Sequence, residues 1–153
     1  MPTNLYGPGD NFHPKNSHVM PALIRRFVEA KQAGLERVTC WGTGSVYREF
    51  LHVDDLAAAC LHVMNVYSDS GIVNIGTGTD VTIRELTEMV RSAVGWEGEA
   101  LWDATMPEGT PRKLLDVSKL KALGWSAQTP LEVGVKQTVD WFVANQKNID
   151  LRL

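Results

Sequence analysis

The chain has 153 residues, of which 44% are hydrophobic and 22% charged, which is enough to bury one core but not to build two full domains. Its formal net charge of -3 argues against a dedicated nucleic-acid or anionic-membrane binder, which would normally carry a basic face. No stretch approaches the roughly 18 apolar residues that span a bilayer, and Cys40 and Cys60 are the only cysteines, so we expect a soluble protein of a reducing cytoplasm.

The N-terminal part predicts a strand end, a turn and a helix. Residues 1–6 look like the end of a strand, and Gly7-Pro8-Gly9-Asp10 cannot continue regular structure. The next segment, 18–33, has apolar residues at helical spacing, and Gly34 is placed to end the helix. The apolar positions that define this helix are Met20, Leu23, Phe27 and Ala30.

The middle of the chain predicts two extended segments followed by a helix. The extended segments are 38–41 and 47–53, with Gly42-Thr43-Gly44 as a turn between them. Asp54 or Asp55 is expected to cap the helix, since a short carboxylate accepts hydrogen bonds from the free N–H groups of a first turn. The residues expected on its buried face are Leu56, Ala59, Cys60, Val63 and Met64.

The remaining strands and helices alternate in the same way. Strands are predicted at 72–75, which Gly76-Thr77-Gly78 closes, and at 99–102. A short helix is predicted at 118–123, ended by Gly124.

Two capping boxes mark further helix starts. Thr82 and Glu85 open a helix that runs to about Gly95. Thr129 and Glu132 open another, with Pro130 at its first position. The alternation favours an α/β fold, in one unit over 1–153, with fewer strands than a complete doubly wound domain would carry.

The glycine loops do not form a dinucleotide site by sequence. Such a site needs Gly-x-Gly-x-x-Gly, but Gly42-Thr43-Gly44 is followed by Tyr47 and Gly76-Thr77-Gly78 by Val81 where the last glycine should stand. Both loops are interpreted as turns. A phosphate loop and a Tyr-x-x-x-Lys pair are also missing from the sequence, so this chain alone does not encode hydride chemistry.

Several polar residues could carry chemistry. His18 stands at a predicted helix start, where the helix dipole suits an acid/base imidazole, although capping or packing is the commoner role there. Arg26 and Arg48 adjoin element ends, as does the pair Arg112-Lys113, and such cations could converge on a diphosphate or remain solvated. Trp41 could line a sugar or base pocket, or be buried.

The segment His52-Val53-Asp54-Asp55 has residue types that bind metals. Strand alternation and a helix cap use the same residues, and no second ligand cluster with suitable spacing appears in the sequence. The sequence therefore predicts no metal site.

Four segments taken together resemble the GDP-L-fucose synthases, a family of the extended short-chain dehydrogenase/reductase superfamily. They are residues 2–8, 10–19, 48–55 and 109–116. The third resembles many sugar-nucleotide epimerases and dehydratases, whereas the second and fourth look specific to the fucose synthases. The resemblance covers residues 1–146.

This resemblance implies a fold and an activity. The implied fold is the C-terminal part of a Rossmann-like, NAD(P)-binding domain with a small substrate-binding α/β domain. Members of the family convert GDP-4-keto-6-deoxy-D-mannose to GDP-L-fucose by inverting two sugar carbons beside a ketone and then reducing the ketone with NADPH. The cofactor implied is NADP(H), and no nucleic acid, membrane or metal is implied.

The resemblance also implies the roles of individual residues. His18 would be the catalytic acid/base, sharing the work with a cysteine that this chain does not contain. The cofactor would contact Pro2, Thr3, Asn4, Leu5 and His18. The substrate would contact Arg26, Trp41, Arg48 and Lys113.

Other parts of the family's pattern are missing from this sequence. The glycine-rich fingerprint, the catalytic serine and the Tyr-x-x-x-Lys pair would precede Met1, so the N-terminal cofactor-binding half is expected to be absent and the chain inactive in reduction by itself. A missing half or a homodimer partner would complete it. Two alternatives are a stand-alone GDP-sugar binding module and a related sugar-nucleotide epimerase or dehydratase.

Overall fold

The computed structural model describes residues 1–146, which form seven short strands and five helices. In chain order they are β1 (Asn4–Tyr6), α1 (Val19–Gln32), β2 (Arg37–Trp41), β3 (Tyr47–Arg48), β4 (Phe50–His52), α2 (Val53–Val66), β5 (Val81–Thr82), α3 (Ile83–Val94), β6 (Glu99–Asp103), β7 (Arg112–Lys113), α4 (Ser118–Ala122) and α5 (Leu131–Asn145). None of these helices is both long and apolar enough to cross a membrane.

The strands form three small sheets. β1 pairs in parallel with β4, and β2 in parallel with β6. In the third sheet β3 is central, antiparallel to β5 and parallel to β7. Parallel strands need helical crossovers, which the chain supplies, so the predicted α/β class is confirmed.

The main core lies where α1, α3 and α5 pack on one another. α1 contributes its apolar stripe, and the Phe27 ring stacks on Trp96 with ring centres 5.0 Å apart. The Trp96 indole N–H donates to the Leu35 carbonyl, so its polar atom is satisfied as the ring is buried. This helical layer supports one side of β2 and β6, since Cys40, Val38 and Ala100 belong to the same core.

Two helices begin and end as the sequence predicts. α1 is followed by Gly34 at φ +65°, a left-handed conformation that glycine adopts without strain. α3 opens with the complete capping box of Thr82 and Glu85, and Gly95 ends it in the left-handed region. Each boundary depends on a few neighbouring residues, which is why sequence alone finds it.

The caps of α2 and α5 differ from the predictions. His52, not Asp54 or Asp55, is the N-cap of α2, and its Nδ1 accepts from the Asp54 N–H. The Asp55 carboxylate instead accepts the backbone N–H groups of Gln128 and Thr129, at 3.2 and 2.9 Å. Thr129 therefore forms no capping box, and Pro130 is the N-cap of α5 rather than its first helical residue.

The predicted buried face of α2 is only partly right. Ala59 is fully buried, but Cys60 is exposed and Met64 is 78% exposed. α2 packs on the narrow pair β1 and β4, so only a thin stripe of it is covered.

The extended segments are also shorter than predicted. The strand expected at 72–75 is reduced to one bridge between Ile75 and Pro2. The one expected at 47–53 is divided at Glu49 into β3 and β4, whose partners lie in different sheets.

Candidate functional site

A cavity of about 580 Å³ opens between the start of α1, strand β1, the ends of β2 and β6, and the loop before β7. Six of its lining residues carry the polar or aromatic groups considered below. They are Asn4, His18, Arg26, Trp41, Arg48 and Glu108. With Leu5, which also lines the cavity, the structure thus collects in one place six of the residues predicted from separate parts of the sequence.

His18 occupies the N-cap position of α1, with an extended backbone, but its side chain makes no capping hydrogen bond. The imidazole is exposed at the cavity wall and is available to a ligand. The Asp10 carboxyl interacts electrostatically with the His18 imidazole. Burial raises the pKa of Asp10, while the Asn11 N–H and the charge of His18 act in the opposite direction.

The predicted cofactor segment is divided between the cavity wall and the sheet. Asn4 and Leu5 line the cavity, and the Asn4 amide is oriented by donating to the Glu49 carbonyl at 2.8 Å. Pro2 and Thr3 are not part of the cavity lining; Pro2 forms a bridge with Ile75, and the Thr3 N–H donates to the Ile75 carbonyl. The Asn4 end of the segment is therefore the part that faces a ligand.

Arg26 and Trp41 form one wall. The Arg26 guanidinium lies over the Trp41 ring, 5.9 Å from its centre, and donates to the Thr39 carbonyl at 3.2 Å. Trp41 is 57% exposed, so most of its ring is free to contact a ligand. Consecutive residues Arg25 and Arg26 point apart, since Arg25 is held by Glu29 and the Phe12 carbonyl.

Arg48 and Lys113 are brought together by the third sheet. They are paired positions of the parallel strands β3 and β7. Arg48 lines the cavity, whereas Lys113 lies one strand away and outside the described wall. The neighbouring Arg112 forms two hydrogen bonds to the Asp80 carboxylate, at 2.6 and 3.0 Å, so its guanidinium is already engaged.

Glu108 is a cavity residue that the sequence analysis missed. Its carboxylate accepts from the Thr43 hydroxyl at 2.6 Å, from the Thr43 N–H and from the Gly44 N–H at 3.0 Å. These bonds, the Thr43 hydroxyl foremost, hold the pKa of Glu108 below its ordinary value. A Cβ on Gly42 would overlap this carboxylate. The glycine at this position was therefore the one sequence feature that could have indicated a side chain packed against the turn.

The second glycine loop is built in the same way. The Thr77 hydroxyl and Gly78 N–H donate to the carboxylate of Glu49. Both Gly-Thr-Gly loops therefore present their donors to a carboxylate of this chain. Those donors are not free to hold a pyrophosphate.

The residues suited to metal binding serve other purposes. Within residues 1–146 there is no group of three or more histidine, cysteine or acidic side chains placed to hold a metal ion. His52 is buried as a helix cap, and Cys40 is a buried cavity residue whose pKa is raised by burial.

The arrangement suits an anionic ligand with a sugar or a ring system. Arg26 and Arg48 can bind phosphate oxygens, Trp41 offers an aromatic face, and His18 can exchange a proton with a nearby carbon or oxygen acid. A nicotinamide cofactor fits only in part, because Asn4, Leu5 and His18 offer contacts to one end of it and both glycine loops are engaged elsewhere.

The chain is similar in sequence to several known proteins. The sequence profile of the NAD dependent epimerase/dehydratase family matches residues 1–76. The chain is 61% identical to GDP-L-fucose synthase 1 of Arabidopsis thaliana over 97% of its length, and 52% identical to GDP-L-fucose synthase of Escherichia coli (strain K12) over 95%. The chain spans about half the length of these curated relatives, 46% and 48% respectively.

A solved structure shows the same relationship in three dimensions. The chain superposes on a GDP-L-fucose synthetase from Naegleria fowleri bound to NADP with a TM-score of 0.91 and 29% sequence identity. The match covers 96% of this chain and 46% of that one. The Rossmann-like α/β architecture predicted from sequence is thereby confirmed.

Proposed function

The chain is a homologue of the GDP-L-fucose synthases within the NAD-dependent epimerase/dehydratase family, and from this premise we propose that it supplies the GDP-sugar binding portion of such an enzyme. The reaction would convert GDP-4-keto-6-deoxy-D-mannose to GDP-L-fucose in the cytoplasm with NADPH. The observation that carries this proposal is the convergence of His18, Arg26, Trp41 and Arg48 on one cavity.

The binding step follows from the charges of the cavity. A GDP-sugar carries a diphosphate, and guanidinium groups match phosphate oxygens with two parallel hydrogen bonds. Arg26 and Arg48 provide these groups in the cavity lining, and Lys113 adds a third cation beside Arg48. Trp41 offers its exposed ring to the sugar or the base.

In the inversion step, His18 would transfer a proton to or from the sugar. A hydrogen on a carbon beside a ketone is acidic, because the carbonyl stabilises the carbanion left behind. Inversion removes that proton from one side of the sugar and returns a proton to the other. We assign one of these transfers to the imidazole of His18, which is exposed and unencumbered at the cavity wall.

The reduction step depends on groups that residues 1–153 do not contain. When bound, NADPH supplies hydride to the ketone carbon. Asn4 and Leu5 would contact the nicotinamide end, with the Asn4 amide held in place by Glu49. The proton donor and the pyrophosphate-binding loop are not found in residues 1–153, so we expect a polypeptide of these residues alone to oxidise no NADPH.

A second candidate function is a stand-alone module that binds GDP-sugars without converting them. The observation that favours it is that the phosphate-binding cations and Trp41 all belong to this chain. A related sugar-nucleotide epimerase or dehydratase is the third candidate, because residues 48–55 are common to that wider group.

Calorimetric titration with GDP and, separately, with NADPH tests the proposal. We expect GDP to bind and NADPH to bind weakly or not at all. If neither binds, the substrate-binding role of this chain is wrong. Adding a polypeptide that carries the cofactor fold then separates the first two candidates, since restored fucose formation supports the divided enzyme and its absence supports the module.

A further inference from the structure

Glu49 is a fully buried acidic residue between β3 and β4. Among residues 1–146, no lysine, arginine or histidine lies close enough to form an ion pair with it. Burying a carboxylate is unfavourable unless its oxygens are hydrogen-bonded. The buried carboxylate of Glu49 therefore requires hydrogen-bond donors from the surrounding chain.

Backbone and hydroxyl donors supply this need. Oε1 accepts from the Gly78 N–H at 2.7 Å and from the Thr77 hydroxyl at 3.3 Å, and Oε2 accepts from the Leu115 N–H at 3.1 Å. A Cβ on Gly76 would overlap the carboxylate, so the loop can close around it only with glycine at this position. Both oxygens act as acceptors, the pattern of a carboxylate.

The backbone of Glu49 makes a third connection. Its carbonyl accepts from the Asn4 side-chain amide at 2.8 Å and from the Thr3 hydroxyl at 3.4 Å. One residue thus joins strand β1, the loop 76–78 and the segment that follows β7. Its neighbour Arg48 lines the cavity, and Lys113 stands two residues before the anchored Leu115.

We propose that Glu49 is a positioning residue that fixes the spacing between Asn4, Arg48 and Lys113, and so fits the cavity to a nucleoside diphosphate. The inference rests on the proposed function. Glu49 itself contacts no ligand, because its side chain is enclosed by the loop 76–78 and Leu115. Its effect passes through β3 and β7, which carry the two cations.

The variant Glu49→Gln tests this role. A glutamine keeps the size of the side chain but presents an NH₂ group to a backbone N–H, so one anchor is lost. We expect GDP affinity, measured by calorimetry, to fall about tenfold, because a displaced cation loses a hydrogen bond to the diphosphate. Glu97→Gln, at an exposed glutamate outside the cavity, is the matched control and should leave the affinity unchanged.

Guanosine separates positioning from a general loss of stability. It lacks the phosphates that Arg48 and Lys113 would bind, so Glu49→Gln should weaken GDP binding and leave guanosine binding unchanged. Equal losses for the two ligands, or no loss for either, would overturn the inference. A wild-type chain that binds no GDP would overturn the proposed function and, with it, the assignment of a ligand to this anchor.

A milder variant and a ligand-free measurement cover the case in which Glu49→Gln does not fold. Thr77→Val removes the hydroxyl that donates to Glu49, together with its bonds to Thr79 inside the loop, and we expect it to weaken GDP binding severalfold, again without affecting guanosine. Amide hydrogen exchange measures the anchoring directly. Exchange of the Gly78 and Leu115 N–H groups in the wild-type chain as fast as in an unstructured peptide would contradict the anchoring role.

Discussion

Arg48 and Lys113 are paired positions on the parallel strands β3 and β7, so side chains from distant parts of the sequence lie next to each other. Residues at the same register of neighbouring strands point to the same side of a sheet. Two like charges placed in this way repel each other, and a bound diphosphate would relieve that repulsion. The pair therefore favours a diphosphate ligand more strongly than either cation would alone.

Removing either cation should weaken nucleotide binding. For Arg48→Ala or Lys113→Ala we expect a loss of about 1.5–3 kcal/mol, the usual worth of a hydrogen bond to a charged group, or about tenfold to a hundredfold in GDP affinity. Lys136→Ala is the control, because Lys136 pairs with Asp140 on the exposed side of α5 and should change nothing. Calorimetry at two salt concentrations gives the GDP affinities. If Lys113→Ala binds GDP as tightly as wild type does, Lys113 does not contact the ligand.

Replacing His18 should slow proton transfer to the sugar. In the enzyme completed by a polypeptide that carries the cofactor fold, His18→Ala should reduce deuterium exchange at the carbons beside the ketone by about 10²–10⁴-fold, the usual contribution of a general acid or base. His62→Ala is the matched control, since His62 lies on α2 and bonds to the Leu123 carbonyl away from the cavity. Exchange that is unchanged in His18→Ala would exclude the acid/base role.

Two threonines at predicted helix starts should differ in their effect on stability. Thr82→Ala removes the capping box of α3 and should lower the free energy of unfolding by about 1 kcal/mol. Thr129→Ala removes a side chain that caps nothing and should change it by less than about 0.5 kcal/mol. Urea unfolding monitored by circular dichroism measures both, and equal effects would show that the α3 cap is not formed in solution.

Acid should weaken the contact between Glu108 and the Gly42-Thr43-Gly44 turn. The folded-state pKa of Glu108 lies below its ordinary value of 4.5, so this contact stabilises the fold above that pH and is lost as the pH falls through the folded-state pKa. Glu108→Gln should therefore be less stable than wild type near neutral pH, with a difference that shrinks in acid. Thermal unfolding across this pH range measures it, with Glu97→Gln as control. A difference that grows in acid would contradict the assignment.

Local signals in the sequence predicted several elements correctly. The helix over 18–33 and its end at Gly34 follow from periodicity and glycine conformation, and the box of Thr82 and Glu85 involves residues three apart. Such features depend on neighbours within one or two turns. Six residues named for the site line the cavity, but they were named from resemblance to a family rather than from spacing, and their roles stay predictions.

Features that depend on distant partners were not predictable in the same way. Thr129 has the pattern of a cap, but the Asp55 carboxylate, far away in sequence, binds its N–H instead. Met64 has the spacing of a buried residue, but the sheet below α2 is too narrow to cover it. The two Gly-Thr-Gly loops were interpreted as turns, and nothing local indicated that the carboxylates of Glu108 and Glu49 bond to them.

The sheets also bear on how the chain reaches its native state during synthesis. Arg37 pairs with Glu99 and Arg48 with Lys113, so large chain loops must close before these ladders can form, and such loops slow folding. Asn4 is the first of these cavity residues to be synthesised, but the turn at Thr43 lacks its hydrogen-bond partner until Glu108 has been synthesised. The cavity can therefore be complete only after Glu108 has left the ribosome, whereas α1 can form as soon as its own residues emerge.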